Sequence, residues 1–317
     1  MKNHRIDIPA TAITVWLLLW AIPLSLANDT PIADAPEGDV QEMRIGVALG
    51  GGGANGLAHI AMIEVLDEFD FTPHCIAGTS IGSIIGALYA SGQSGAEIRE
   101  FVNGITVRRT DTWQERLLDL RLFRWARFVD PELGQGGLLS ADSFVRFLKD
   151  ELDAETFDDL KIPLYVVTTD YWAQEQTVYH EGDMLEAIKA SMAIPGIFSP
   201  VIIDGRPHVD GGLVNPVPFD ILFDSCNFII AIDVLGEYSE DEDISFVDAA
   251  FRSFRIMQHQ IVRGKKALRE PDIYIETNIH DVRMLQFHKF QYVCEQARGA
   301  AETLRKQLIE YGFEKKP

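Results

Sequence analysis

A chain of 317 residues, with 47% hydrophobic and 24% charged side chains, has the composition of an ordinary globular protein and suffices for one large domain with a sizeable core. Its 28 basic against 48 acidic residues give a net charge of −20, which repels nucleic acid and offers no general attraction to anionic membranes. Three cysteines, Cys75, Cys226 and Cys294, are too few for a disulfide scaffold.

At the N-terminus, Lys2 and Arg5 precede an apolar run from Ile13 to Leu24 that ends in Ser25-Leu26-Ala27. A charged start, a short apolar core and small residues three and one before a junction predict a secretory signal over 1–27, cleaved after Ala27, and a periplasmic address. An uncleaved inner-membrane anchor is the alternative, although the run is short for a bilayer span. Residues 28–42 are rich in Pro, Ala and acids and read as a flexible lead-in, leaving 43–317 as the folded domain. After export one cysteine pair could bridge and leave one thiol free; Cys75 also reads simply as a core residue.

Arg44–Leu49 is the first buried-strand candidate and runs directly into Gly50-Gly51-Gly52-Gly53-Ala54-Asn55-Gly56. A helix follows through Leu57, Ile60, Ala61, Val65 and Leu66. Gly51-x-Gly53-x-x-Gly56 fits a dinucleotide fingerprint with Asp70 as the ribose acid, yet Asp70 precedes the next strand instead of ending it. The competing reading is an oxyanion hole, with the N–H groups of Gly51, Gly52 and Gly53 turned toward one point at a helix N-terminus.

Next comes Cys75-Ile76-Ala77, a strand candidate, then Gly78-Thr79-Ser80-Ile81-Gly82, then a helical stretch from Ile84 to Ala90. Strand, G-x-S-x-G turn and helix are the parts of a nucleophile elbow, which makes Ser80 the candidate nucleophile. A Gly-rich turn holding a merely structural serine is the other possibility.

From Gly95 to Leu160 the texture is helical and mixed. Within it, Arg108 to Phe128 interleaves six arginines with Trp113, Phe123, Trp125 and Phe128. This suits a membrane-surface contact, and equally a helix whose arginines pair with the abundant carboxylates. Ser140 or Asp142 can cap a helix running to Leu152. Leu164–Asp170 is a β-branched strand candidate, Thr177–Tyr179 a shorter one, and Met184–Met192 a helix. Val201–Ile203 leads to a turn over Asp204–Pro207, and His208–Leu213 sets Asp210 on a tight turn before two glycines. Phe228–Val234 is a buried strand, Glu237–Asp243 an acidic loop, Phe246–Leu268 an amphipathic helix, Ile273–Ile275 a short strand and Glu295–Tyr311 a terminal helix. Strands alternating with helices predict an α/β fold with a mostly parallel sheet covered on both faces.

A serine nucleophile needs a base. The order Ser80, Asp210, then His259, His280 or His288 would make a triad, but none of these histidines carries the turn signal of a catalytic loop. His208 is too close to Asp210 to be an independent member. Asp210 itself could accept the proton if its environment raises its basicity.

The glycine loop with Leu57-Ala58-His59-Ile60, the Gly78–Gly82 turn, the segment from Ser191 through Pro195 to Phe198-x-Pro200, and Asp210-Gly211-Gly212 together resemble a bacterial patatin-like phospholipase, in order from Arg44 to Val234. That resemblance implies a three-layer α/β/α domain with a mostly parallel central sheet. It implies a Ser-Asp dyad of Ser80 (nucleophile) and Asp210 (proton acceptor), with Gly51 to Gly53 as oxyanion hole. It also implies a lipid or lysophospholipid substrate and no cofactor or metal. Ser191, Pro195 and Phe198 are expected to shape an acyl pocket or pack beneath the site. Asn55 departs from the family's usual Arg or Lys, which puts preference for an anionic headgroup in doubt. With the sequence ending at Pro317, no appended outer-membrane barrel is expected. A small-ester esterase or thioesterase on the same residues, a catalytically silent scaffold and a dinucleotide-binding protein are the competing functions.

Overall fold

The computed structural model describes residues 42–106, 154–237 and 246–316, with 145, 148, 149, 151 and 152 between them. The predicted signal, nearly all of the lead-in, the basic and aromatic stretch 108–128, most of the helix expected from Ser140 or Asp142, and most of the acidic loop 237–243 lie outside the described residues. Among the described residues no helix is long and apolar enough to cross a membrane.

Among the described residues eight strands make one sheet: β1 (Ile45–Leu49), β2 (Cys75–Thr79), β3 (Leu164–Asp170), β4 (Glu175–Tyr179), β5 (Val201–Ile203), β6 (Arg206–Asp210), β7 (Phe228–Asp233) and β8 (Ile273–Glu276). Their order is β5-β6-β3-β2-β1-β7-β8, with β4 also paired to β3. Strands β3, β2, β1, β7 and β8 are parallel, whereas β4 and β6 run antiparallel to β3. The central strands are near-continuous apolar runs because both faces are covered. Ile45, Val47 and Leu49 of β1 join a large core on one face, while Ala48 joins a smaller core on the other.

The helices are α1 (His59–Asp67), α2 (Ile81–Ala90), α3 (Gly95–Thr106), α4 (Met184–Ser191), α5 (Phe246–Leu268) and α6 (Phe290–Glu310). Side chains of α1, α2, α3, α4 and α6 enter the large core. The opposite face is covered more thinly, by a 3-10 turn at Phe219–Leu222 and by Val262 of α5. The arrangement is the expected three-layer α/β/α sandwich.

Two boundaries differ from expectation. The turn after β5 narrows to Asp204-Gly205, at φ 51° and 76°, so β6 already begins at Arg206 and includes Pro207. Positive φ at both central residues is the two-residue hairpin geometry that matches strand twist. The last helix begins at Phe290 instead of Glu295, because Phe290 and Val293 are both buried and extend its apolar face by a turn.

The register around β3 positions everything that follows. Val166 and Val167 pair with β2 on one edge and β4 on the other, whereas Thr168 to Asp170 pair with β6 and β4. Hence β2 and β6 lie end to end along the same edge of β3. Thr79 faces Val167 and Asp210 faces Thr168, so the residue after β2 meets the last residue of β6.

Candidate active site

Ser80 stands between β2 and α2 at φ 54°, ψ −123°, a backbone conformation that costs a non-glycine residue about 1–3 kcal/mol. Hydrogen bonds on both sides of the residue hold it there. Its N–H donates to Ser191 Oγ at 2.8 Å, and Ser191 Oγ donates in turn to the Val167 carbonyl at 2.6 Å. Its carbonyl accepts from Ser83 N–H at 2.9 Å and Ser83 Oγ at 2.6 Å. The turn also requires close backbone approach: a Cβ on Gly82 would sit 2.1 Å from the Leu49 carbonyl oxygen.

Ser80 and Asp210 are both buried, brought together where the end of β2 meets the end of β6 along β3. Burial pushes the Asp210 pKa up to about 6, against the opposing pull of the Gly212 N–H and the Ser80 hydroxyl. The Gly212 N–H donates to Asp210 Oδ1 at 2.7 Å. Asp210 is fixed by its backbone too: its N–H donates to Ala193 O at 3.0 Å and its carbonyl accepts from Thr169 Oγ1 at 2.9 Å. From α5, Gln258 Nε2 donates to Gly212 O at 3.1 Å and braces the same turn. A carboxylate so placed is a stronger base than an ordinary aspartate, which is what abstraction of a hydroxyl proton requires.

Among the described residues, no histidine acts on Asp210. His208, two residues away on β6, is held by Thr168 Oγ1 and Tyr179 Oη, each at 3.1 Å, and burial lowers its pKa. His280 and His288 are exposed, and His259 is half-buried on α5.

The glycine loop lies beside Ser80. Of the three glycines nominated from sequence, Gly51 donates its N–H to Pro216 O at 2.8 Å, whereas among the described residues nothing accepts from Gly52 or Gly53. The Gly50–Gly51 peptide is clamped from its other side by His59, whose Nε2–H donates to Gly50 O at 2.8 Å. His59 is fully buried, and desolvation brings its pKa down to about 4, so it remains the neutral donor this contact needs. Gly53, at φ 58°, lets the loop pass against Met284, whose carbonyl accepts from Ala54 N–H at 2.7 Å. Asn55 is buried and donates from Nδ2 to Leu235 O at 3.1 Å, tying the loop to the end of β7.

Asp70 belongs to the opposite end of the sheet. The segment just after it bonds the start of β1, with His74 N–H on Ile45 O at 2.7 Å, far from the glycine loop at the strand's other end. The ribose contact of the dinucleotide reading therefore has no acid to make it.

An apolar wall borders the loop and Asp210. Ile194, Ile197 and Met284 form a buried cluster with Phe198, Phe251 and Phe254 packed against it. Phe198 is half-buried within this wall, and Pro195 is exposed at the turn that carries it.

A strained elbow serine beside a buried carboxyl, on a mostly parallel three-layer sheet, is the arrangement that acyl transfer by a serine nucleophile calls for. The patatin-like phospholipase family description matches residues 47–223, and the chain belongs to that family. It is 33% identical over 175 residues to an uncharacterized NTE family protein of Mycobacterium tuberculosis, covering 55% of this chain and 44% of that one. It is 29% identical over 268 residues to human patatin-like phospholipase domain-containing protein 6, covering 82% of this chain and 18% of the human protein. The chain thus spans less than half the length of these relatives. Among solved structures it is similar to VipD from Legionella pneumophila, with a TM-score of 0.46 at 15% identity over 83% of this chain and 66% of VipD.

Proposed function

We propose that the protein is an exported serine acyl hydrolase that cleaves acyl esters of lipids through a Ser80–Asp210 dyad. The observation that carries the reading is the meeting of a buried Ser80, at an elbow held by Ser191 and Ser83, with the buried Asp210 along one edge of β3. Asp210 takes the hydroxyl proton as Ser80 Oγ attacks the ester carbonyl, and returns it to the departing alcohol. Water, deprotonated by Asp210, then attacks the acyl-enzyme and releases the fatty acid. The N–H groups of Gly52 and Gly53, which have no acceptor among the described residues, suit the oxyanion. The wall of Ile194, Ile197, Phe198 and Met284 suits an acyl chain and favours a lipid or lysophospholipid over a short ester. Export rests on the signal pattern of residues 1–27, and the 108–128 stretch remains a proposed membrane-surface contact.

The test is fatty-acid release from defined phospholipids and lysophospholipids, with fluorophosphonate labelling of the same samples. Wild type should release fatty acid and label at Ser80. Ser80→Ala should lose both, and Asp210→Asn should lose turnover by several orders of magnitude. Retained turnover in Asp210→Asn together with loss in His259→Ala would replace the dyad by a histidine-based triad. Cleavage confined to short esters would keep the dyad and remove the lipid.

A further inference from the structure

We propose that Cys75 and Cys226 are joined by a disulfide that ties the strand carrying Ser80 to the segment leading into β7. Their sulfurs are 2.7 Å apart and buried, inside the roughly 3.5–4.0 Å at which unbonded heavy atoms pack. The approach is built into the sheet. Cys75 opens β2 directly beside Gly46 of β1, and a Cβ on Gly46 would come within 2.9 Å of the Cys226 sulfur. The side chain missing at Gly46 is the space into which Cys226 inserts to reach Cys75. Ala48 and Ala77 continue this small-residue floor, and Phe219 and Leu222 close over it. Cys294 belongs to the core on the other face of the sheet, so neither of the two can pair with it in the fold.

The chemistry needs an oxidant, which is a small-molecule or protein disulfide. One thiolate attacks that disulfide and expels one of its sulfurs as a thiol; the second cysteine then displaces the other, leaving the Cys75–Cys226 bond. Two protons and two electrons pass from the pair to that external disulfide, which becomes two thiols. Either sulfur can donate to the other, and Arg44 favours the thiolate of both, so either cysteine can make the first attack. The bond spans 151 positions of sequence, a long loop whose closure strongly restricts the unfolded chain. It constrains β2 at its first residue, while the elbow stands at its far end. The tie therefore stabilises the fold without touching Ser80.

The full chain, produced in an oxidising compartment and held in oxidised glutathione, is denatured and alkylated with N-ethylmaleimide beside a dithiothreitol-reduced sample. Intact mass and peptide mapping should show one maleimide, on Cys294, in the oxidised protein and three in the reduced one, with the Cys75 and Cys226 peptides linked. Cys294→Ser should keep the link, and its Tm should fall on reduction by roughly 5 °C or more, whereas Cys75→Ala should not respond. Three maleimides in the oxidised protein, a link that includes Cys294, or a Tm unmoved by reduction would each overturn the proposal. Because none of these readouts uses turnover, failure here is distinct from failure of the hydrolase reading.

Discussion

At pH 8 the Asp210→Asn variant is expected to resist urea better than the wild type while hydrolysing nothing. The folded protein raises the Asp210 pKa from the ordinary 3.8 to about 6, chiefly by burying the carboxyl. Below pH 4 the group is protonated in both folded and unfolded chains and contributes no difference. Between about pH 4 and 6 the folded state holds the proton more tightly, so stability declines as pH rises through that window. Above pH 6 the folded protein carries the full cost of a buried charge, about 3 kcal/mol at 1.36 kcal/mol per pH unit. Asn keeps an acceptor for the Gly212 N–H and carries no charge, so about 1–3 kcal/mol should be recovered at pH 8 and little at pH 4. The assay is urea denaturation of both proteins from pH 4 to 8, with a wild-type pH–rate profile beside it. Wild-type kcat/KM should fall about tenfold per pH unit below pH 6, where the base becomes protonated. A stability gap that is independent of pH, or a rate flat from pH 5 to 7, would refute the reasoning.

Ser191→Ala leaves the buried Ser80 N–H without its acceptor, so kcat should fall roughly 10- to 100-fold with little change in KM, and Ser191→Thr should recover part of the loss. Gly82→Ala drives a Cβ to 2.1 Å from the backbone oxygen of Leu49, so the soluble yield should collapse or Tm fall sharply. Gly264→Ala, on α5 with nothing within 4 Å, should instead raise stability by up to about 1 kcal/mol by thermal denaturation. Replacing Ile197 and Met284 by Ser should reduce hydrolysis of long-chain esters well beyond that of short ones, measured as kcat/KM against chain length.

The strands and the elbow were legible in the sequence because each is a local pattern: a β-branched run, a G-x-S-x-G turn, an Asp before two glycines. The meeting of Ser80 with Asp210 was not local. It depends on β2 and β6 sharing one edge of β3, a register that no window of sequence contains. The same limit applies to the glycine loop. Its composition suggested three converging N–H groups, but whether Gly51 is free depends on Pro216, more than 160 positions away. Ser191 read as a packing residue, yet its hydroxyl links the elbow to β3. Gln258 and Met284 had no signal at all, because an ordinary side chain on an amphipathic helix or in a loop acquires its neighbour only through the fold. Cys75 was legible as a core residue, while its partner was not, since only the sheet brings Gly46 and Cys226 beside it.

The proposed nucleophile and base take their positions from two consecutive residues, Val167 and Thr168, of a single strand. Strand β3 therefore works as a ruler on which the separation of the two reacting groups is marked once. Long excursions leave it and come back, from the end of α2 to Leu164 and from Asp170 to Arg206, and neither resets the mark. The first excursion can lengthen, shorten or exchange its contents over evolutionary time without moving either group, whereas the second must keep Ser191 and Ala193, which bond Ser80 and Asp210. Substrate range can drift in this protein while the chemistry stays fixed, and a one-residue slip within β3 itself is the change the scaffold cannot absorb.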